Sequence, residues 1–356
     1  MRHAGPVTSW VLHVDLDEFL AAVEVLRRPE LAGLPIVVGG RGDPTERAVV
    51  STASYAAREH GIRSGMPLKT AQRIARRRCP DVVFLPVDRP VYEAASAEVM
   101  TTLRSVPDAK VQVLGWDEAF VGVETDDPAD VARRIQADVL AATRLHCSVG
   151  IGDTTTRAKI ATEFGKPRGI FTLTRATWLA VMGGRPTRAL WGVGPRVAAR
   201  LARHGIETVA ELAAADPDLL AAEFGPTMGP HYGRLGRGGG ARTVDDTPWL
   251  ARAHGRETTY QHDLTSADEI AAAVRDLAVQ VVEDIDREGR ACARVHLKVR
   301  FVPFFTVHRS RTLPAPTSDP EQVAVTALEL LDRLDDDRPI RLLGVRAEMV
   351  PPEGGY

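Results

Sequence analysis

The chain has 356 residues, 44% of them hydrophobic, with 45 Lys and Arg against 47 Asp and Glu for a formal net charge of −2. That length predicts roughly two to four domains rather than one core, and the even charge excludes a general polycation. No run of about eighteen apolar residues exists to cross a membrane, the first ten residues carry no signal-peptide pattern, and Cys79, Cys147 and Cys292 are too scattered for a disulfide framework or a cysteine metal site, so buried thiols are expected.

In chain order, Val11 to Leu16 alternates apolar and polar residues as a half-buried strand does, and Phe19 to Val25 takes up helical spacing. Asp15 and Asp17 therefore stand at a strand end beside a helix start, where a metal or phosphate can be held. The competing reading is that either one caps the helix through the Glu18 and Phe19 amides. Residues 35–39 and 48–53 read as short strands joined by a Gly- and Pro-bearing loop, and 55–61 as a short helix stopped by Gly61. Tyr55 and Arg58, three apart, share a face of it. Residues 92–103 and 130–143 carry helical patterns; 111–114, 120–123 and 147–151 read as strands.

A second acidic pair, Asp117 and Glu118, follows the apolar run 111–116. Adjacent strand residues face opposite ways, so both reach one cation only where the strand bends. Two strand ends bearing carboxylates can hold two divalent cations. Oxygen donors suit Mg²⁺, and such a pair clamps the attacking and leaving oxygens of an in-line phosphoryl transfer. Nothing in the spacing makes the two strands neighbours.

Ala158-Lys159-Ile160-Ala161 sits on a helix that ends in the turn Gly165-Lys166-Pro167-Arg168-Gly169. Residues 190–201 read as a helix–hairpin–helix: Gly192 and Gly194 leave backbone amides bare at a tight turn, and a helix opens at Pro195 beside Arg196. Such a hairpin grips phosphate; a plain turn between packed helices is the alternative. Residues 224–240 form a second, weaker element, and 242–251 a polar tether. Beyond it, Arg256 lies on an opening segment, and helix 266–288, strands 293–302 and 306–312, helix 321–334 and strand 340–349 give a βαββαβ order. Arg294, Lys298 and Arg300 alternate with apolar residues, leaving one strand face for packing and one for phosphate. No Asp or Glu occurs from 164 to 206 or from 289 to 313, while Lys and Arg recur in both. That pattern fits a lined groove; two solvated faces are the blander alternative.

Asp15-x-Asp17-x-Phe19-x-Ala21-x-Val23-Glu24 together with Asp117-Glu118-Ala119-Phe120 resembles the signature of the Y-family, translesion DNA polymerases. Ser54-Tyr55-Ala56-Ala57-Arg58, Ala158-Lys159-Ile160-Ala161 and Gly165-Lys166-Pro167-x-Gly169 match further motifs of that family in the right order. The similarity runs from about residue 10 to residue 350 and is nearest to the DNA polymerase IV (DinB) group.

The resemblance implies an α+β multidomain right hand: a ferredoxin-like palm over 10–19 and 85–178, small fingers over 20–84, a helical helix–hairpin–helix thumb over 179–241, a linker over 242–252 and a βαββαβ little finger over 253–352. It implies a low-fidelity, template-directed DNA polymerase working by two-metal nucleotidyl transfer on primer–template DNA and dNTP. Asp15, Asp117 and Glu118 would be catalytic and, with the Leu16 carbonyl, would hold two Mg²⁺, for which Mn²⁺ can substitute. Phe19, Leu20, Tyr55, Arg58 and Lys166 would meet the nucleotide, the last three at its phosphates. Lys159 would stand near the carboxylates or pair with one. Gly192, Gly194, Arg196, Arg256, Arg294, Lys298 and Arg300 would meet DNA. A cytoplasmic monomer, on the nucleoid in a bacterium, is expected.

Three departures stand out. Most family members carry Tyr or Phe where this chain has Leu20, so a ribose 2′-OH should clash less and rNTP should be accepted. Gly115 and Trp116 replace the usual Ser and aliphatic residue. Residues 350–356 lack the Gln-plus-apolar peptide that binds the sliding clamp, so weak or no clamp binding through the tail is expected. Two other classes share some of these features: a catalytically silent mutasome scaffold, which would lose the carboxylates, and a nucleotide cyclase, which has no use for the hairpin and basic C-terminal region.

Overall fold

The computed structural model describes residues 8–356, so the leader reading falls largely on residues outside it. The chain divides into two units, one of residues up to 42, 50–65 and 74–247, the other of 43–49, 66–73 and 248–356.

Strand β1 (Ser9–Leu16) buries Leu12, Val14 and Leu16 on one face. Helix α1 (Phe19–Arg27) follows, then β2 (Ile36–Val38), β3 (Thr52–Ala53), α2 (Tyr55–Glu59), α3 (Leu68–Arg78) and β4 (Val83–Leu85). Strand β2 pairs antiparallel with β3 and parallel with β4 in a three-stranded sheet. Next come α4 (Arg89–Arg104), β5 (Lys110–Val113), β6 (Glu118–Glu124), α5 (Pro128–Thr143), β7 (Cys147–Gly152), α6 (Thr155–Gly165) and β8 (Ile170–Leu173). These complete a five-stranded sheet ordered β5-β6-β1-β7-β8, antiparallel except for β7 with β8. Leu12, Val14 and Leu16 share a core with Tyr92, Val99 and Leu103 of α4 and Ile135 and Val139 of α5. Helix α6 lies against β7 so closely that a Cβ on Gly150 would stand 2.0 Å from the Ala158 carbonyl oxygen.

Helices α7 (Trp178–Met182), α8 (Pro195–Ala202), α9 (Val209–Ala214) and α10 (Pro217–Gly236) surround Leu190, Val193, Leu201, Leu212 and Leu235. Helix α10 is two helices end to end, because Gly225 stands at φ 86° and Pro226 follows it. The glycines after it let the chain lie against the start of α6. A Cβ on Gly240 would stand 2.6 Å from the Thr156 hydroxyl, and Thr155 N–H donates to the Ala241 carbonyl at 2.8 Å.

In the second unit, β9 (Ala253–Leu264), α11 (Ala267–Arg287), β10 (Cys292–Phe301), β11 (Phe305–Thr317), α12 (Pro320–Asp332) and β12 (Ile340–Met349) follow the βαββαβ order expected. The sheet is antiparallel, ordered β11-β10-β12-β9. Val295, Leu297 and Val299 pack with Val274, Val281 and Val323 of the helices, while Arg294, His296, Lys298 and Arg300 take the other face. Strand β11 runs on to Thr317 through Pro314 and Pro316, which an edge strand tolerates because a missing N–H breaks no inner ladder. All three cysteines are buried without a disulfide. Burial pushes the Cys147 thiol up to about 12 and that of Cys292 to about 11.

Candidate active site

The alternation that buries Leu12, Val14 and Leu16 sends His13 and Asp15 to the opposite face of β1, where α6 lies. Strand β6 pairs with β1 so that Glu118 is directly opposite Asp15, and opposed residues of an antiparallel pair share a face. Asp117 precedes β6 in a bend over 115–117, and its carbonyl accepts from the Leu16 N–H at 2.8 Å. The bend relieves the constraint that adjacent strand residues face apart. Gly115 lies under it, with the site of its missing Cβ 3.5 Å from Asp117 Oδ1, and Trp116 packs partly on the core with the Arg89 guanidinium 5.0 Å from its ring.

Helix α6 and the turn after it bring two ammonium groups to these carboxylates. Lys166 Nζ lies 2.9 Å from Asp15 Oδ1 and 2.7 Å from Glu163 Oε1; Lys159 pairs with Glu118 and stands 3.3 Å from His13 Nε2. Buried His13 reaches Thr162 Oγ1 through Nδ1 at 2.8 Å and Glu118 Oε2 through Nε2 at 3.0 Å. Burial holds this imidazole below its usual pKa, hence neutral. The tautomer that satisfies both contacts takes the Thr162 hydroxyl proton at Nδ1 and donates Nε2–H to Glu118.

Electrostatics set the acids apart. Desolvation raises Asp15 to about 6 despite Lys166, with the charge of Asp117 adding to the rise. Desolvation and the Glu118 charge raise Asp117 as well. The hydrogen bond from His13 and then Lys159 hold Glu118 down to about 2. A cluster of crowded, partly desolvated carboxylates already matched by ammonium groups fits a hard divalent cation. His13 belongs to the same trio of potential donors, all within 4.8 Å, but its Nε2 serves Glu118.

Neither Asp15 nor Asp17 caps α1; the cap position is Glu18, left-handed at φ 44°, with no side-chain cap. Buried Asp17 instead accepts from Tyr55 Oη at 2.6 Å, Ser148 Oγ at 2.9 Å and the Arg168 N–H at 2.9 Å. Glu18 accepts from the Tyr55 N–H at 2.5 Å. Together they fix α2 against the strand end. The Arg58 guanidinium lies 5.0 Å from the Tyr55 ring, and Tyr55, Arg58, Arg63, Glu163 and Pro167 line a cleft of about 730 Å³. A second cavity of about 500 Å³, lined by Asp15, Lys159, Glu163, Arg185, Arg188 and Trp191, shares Glu163 with it. Phe19 and Leu20 are both buried in the adjoining core.

Farther along, Val193 is buried while Gly192 and Gly194 on either side are exposed. Gly192 needs glycine for its φ of 90°, but Gly194 lies in an ordinary extended conformation, φ −79° and ψ 174°, with nothing within 4 Å of a would-be Cβ. Nothing inside the chain asks for glycine at 194, and the exposed Arg196 follows it. On the second unit's sheet, Lys298 pairs with Glu257 at 2.6 Å, and Arg294 and Arg300 donate to Thr312 and Thr306. Arg256 is occupied otherwise: its guanidinium grips both oxygens of Asp284 on α11, at 2.5 and 2.6 Å.

The sequence signals for Asp15, Asp117, Tyr55 and Lys166 are local motifs. His13, Ser148 and Thr162 are supporting residues that sequence reasoning passes over, although the alternation of β1 already put His13 on the face of Asp15. Asp17, read from the sequence as a cap or a holder of metal or phosphate, is a support for Tyr55, Ser148 and the Arg168 amide instead.

Residues 14–163 match the impB/mucB/samB family, 251–356 its C-terminal domain, and 190–225 a SAM-like helix-hairpin-helix tandem. DNA polymerase IV 2 of Mycobacterium tuberculosis is 48% identical over 353 residues, spanning 98% of this chain and 100% of that protein. DNA polymerase IV of Methanoculleus marisnigri is 38% identical over 97% of this chain and 95% of its own length. Among solved structures, a Y-family DNA polymerase chimera has a TM-score of 0.81 at 23% identity, covering 95% of this chain and 98% of the other. An insertion ternary complex of Dbh DNA polymerase has 0.64 at 23%, covering 96% and 99%. Those two share the fold. With near-full-length similarity to proteins named DNA polymerase IV, and the acids of the family signature set opposite one another, the chain belongs to the Y-family in its DNA polymerase IV group and is a DNA-directed DNA polymerase of the translesion type.

Proposed function

We propose that this enzyme extends primers by two-metal nucleotidyl transfer centred on Asp15, Asp117 and Glu118, with low fidelity and with unusual tolerance of ribonucleotides. The observation that carries the reading is the facing pair Asp15 and Glu118, each already matched by an ammonium group. Two Mg²⁺, or Mn²⁺ in their place, would be held by the three carboxylates and the Leu16 carbonyl, and when bound would supply positive charge at the attacking and leaving oxygens. The primer 3′-hydroxyl loses its proton to solvent, its oxygen bonds to the α-phosphorus, and the bond from that phosphorus to the bridging oxygen breaks so that pyrophosphate leaves.

The chain's own groups do the positioning. Tyr55 and Arg58 meet the triphosphate in the 730 Å³ cleft, where a guanidinium can bond two oxygens at once. Lys166 exchanges Asp15 for the β/γ-phosphates as a point charge. The primer end takes the 500 Å³ cavity beside Asp15. Gly192, Gly194 and Arg196 meet the DNA backbone, as do Arg294, Lys298 and Arg300; Arg256 joins them by exchanging Asp284 for a phosphate. Phe19 belongs to the nucleotide site, and Leu20 lies under the sugar. Leucine is smaller and not planar, so discrimination against a 2′-OH should fall by about 10–200-fold. The domain boundaries given by the family resemblance, a monomeric state and the absence of clamp binding through the tail belong to the same reading.

Primer extension tests it. Wild type should extend with dNTP and, at comparable efficiency, with rNTP; Asp117→Ala should extend with neither, and Leu20→Phe should lose only rNTP. A silent scaffold would extend nothing, and a cyclase would ignore primer and template. Equal rejection of rNTP by wild type and Leu20→Phe would remove the role given to Leu20.

A further inference from the structure

Large apolar side chains on a protein surface are ordinarily scattered singly. The turn between β10 and β11 departs from this: Phe304 is 68% exposed and Phe305 52%, next to each other and beside buried Phe301. Guanidinium groups lie against the rings. Arg341 Cζ is 5.0 Å from the Phe304 centroid, and Arg338 Cζ is 4.5 Å from that of Phe305 and 5.2 Å from that of Phe301. Arg338 is neutralised by Asp336 at 2.5 Å, and Arg47 by Asp263 at 2.5 Å. Arg300 and Arg341 have no carboxylate within ion-pair distance among the described residues, and Arg300 donates to the Thr306 hydroxyl at 2.8 Å instead. Positive charge is therefore left over beside two largely exposed rings.

We propose that this turn binds single-stranded DNA, such as an unpaired stretch of template. Unpaired bases stack on Phe304 and Phe305, and their phosphates pair with Arg341 and Arg300. An exposed ring accepts the face of any base, and a nearby guanidinium holds the backbone, so the combination is sequence-tolerant. Duplex bases stack on one another and offer no face to a ring, so the pair of phenylalanines is specific for the single strand. Asp335 and Asp337 flank the neutral Asp336–Arg338 pair and repel phosphate, which confines the strand to the Arg300 and Arg341 side.

Fluorescence anisotropy with the full chain decides it, using a blunt duplex, the same duplex with 5′ template overhangs of increasing length, and an oligo-dT strand. Wild type should bind more tightly as the overhang grows and then level off. Phe304→Ala/Phe305→Ala should bind overhung DNA and oligo-dT about tenfold more weakly while binding blunt duplex as before. Phe304→Tyr/Phe305→Tyr should restore the wild-type pattern. Arg341→Gln should lower the salt dependence of overhang binding by about one counterion. The same overhang dependence in wild type and the double alanine variant, or an equal loss on blunt and overhung DNA, would overturn the proposal. Binding of all three DNAs unchanged would assign the turn to a protein partner and overturn it as well.

Discussion

Asp15 is ionised at neutral pH at some cost to the folded chain. Its carboxyl is raised to about 6 by desolvation, so between roughly pH 4 and 6 the native state keeps a proton that the unfolded state has released, and stability falls as pH rises through that window. A shift of about two pKa units corresponds to about 3 kcal/mol. In metal-free buffer, Asp15→Asn should therefore be more stable than wild type at pH 7, with the gain vanishing below about pH 4; denaturant titration at both pH values measures it. The same variant should extend no primer. Replacing Asp17 has the opposite effect on stability. It receives three hydrogen bonds in a buried position, so Asp17→Ala leaves a phenol, a hydroxyl and an amide without their acceptor. A loss of about 2–4 kcal/mol is expected, together with a raised KM for nucleotide as Tyr55 loosens. Tyr55→Phe should leave most of that stability in place. At this scale the acids proposed to hold the cations are legible as motifs, whereas most of their supports are not. His13 touches Glu118 105 positions away and Thr162 149 positions away, and no local pattern encodes such a meeting.

Helix α6 carries Lys159, Thr162 and Glu163 and leads into Lys166, so its seat on β7 determines the site. Glycine at 150 is what lets it lie that close. Gly150→Ala drives a methyl group into the Ala158 carbonyl and should cost at least 2 kcal/mol along with most of the activity; thermal denaturation and primer extension read the two effects. Gly194→Ala is the contrasting case. With open space around it and an unstrained backbone, it should leave the melting temperature unchanged yet weaken duplex DNA binding several-fold, because the methyl group obstructs only what approaches from outside. Strong periodicity made most elements legible: β1, α4, α5 and the βαββαβ order of the second unit all follow the pattern of their residues. Helix α3 and strand β4 escape that reading. The apolar face of α3 is diluted by a run of arginines, and β4 has only three residues, fewer than an alternation needs to declare itself. Strand β11 outruns its sequence signal because prolines 314 and 316 mark an end only in a strand paired on both sides.

Over the whole chain a net charge of −2 coexists with a polymerase's need for phosphate. Pairing sharpens the discrepancy, which only the uneven distribution of charge along the chain relieves. Arg200, Arg203 and His204 all turn to Glu223, Arg256 turns to Asp284 and Lys298 to Glu257, so part of the positive charge is held by internal partners. Glu257→Gln releases Lys298 and should raise duplex affinity while steepening its salt dependence by about one counterion, as a titration of binding against salt would reveal. The sequence displays the basic segments but not their partners, since Glu223 and Glu257 lie outside the runs that lack acids.

The sealed thiols give the molecule a further property. Cys79, Cys147 and Cys292 lie inside the fold with raised pKa values, and the thiolate is the reactive form. A colorimetric thiol reagent should find nothing to modify in the native chain and should react with all of them once it is unfolded. A cysteine introduced at an outward position such as Ser310 would then be the sole target of a maleimide dye. The polymerase could be tagged for single-molecule observation without first removing its natural sulfur.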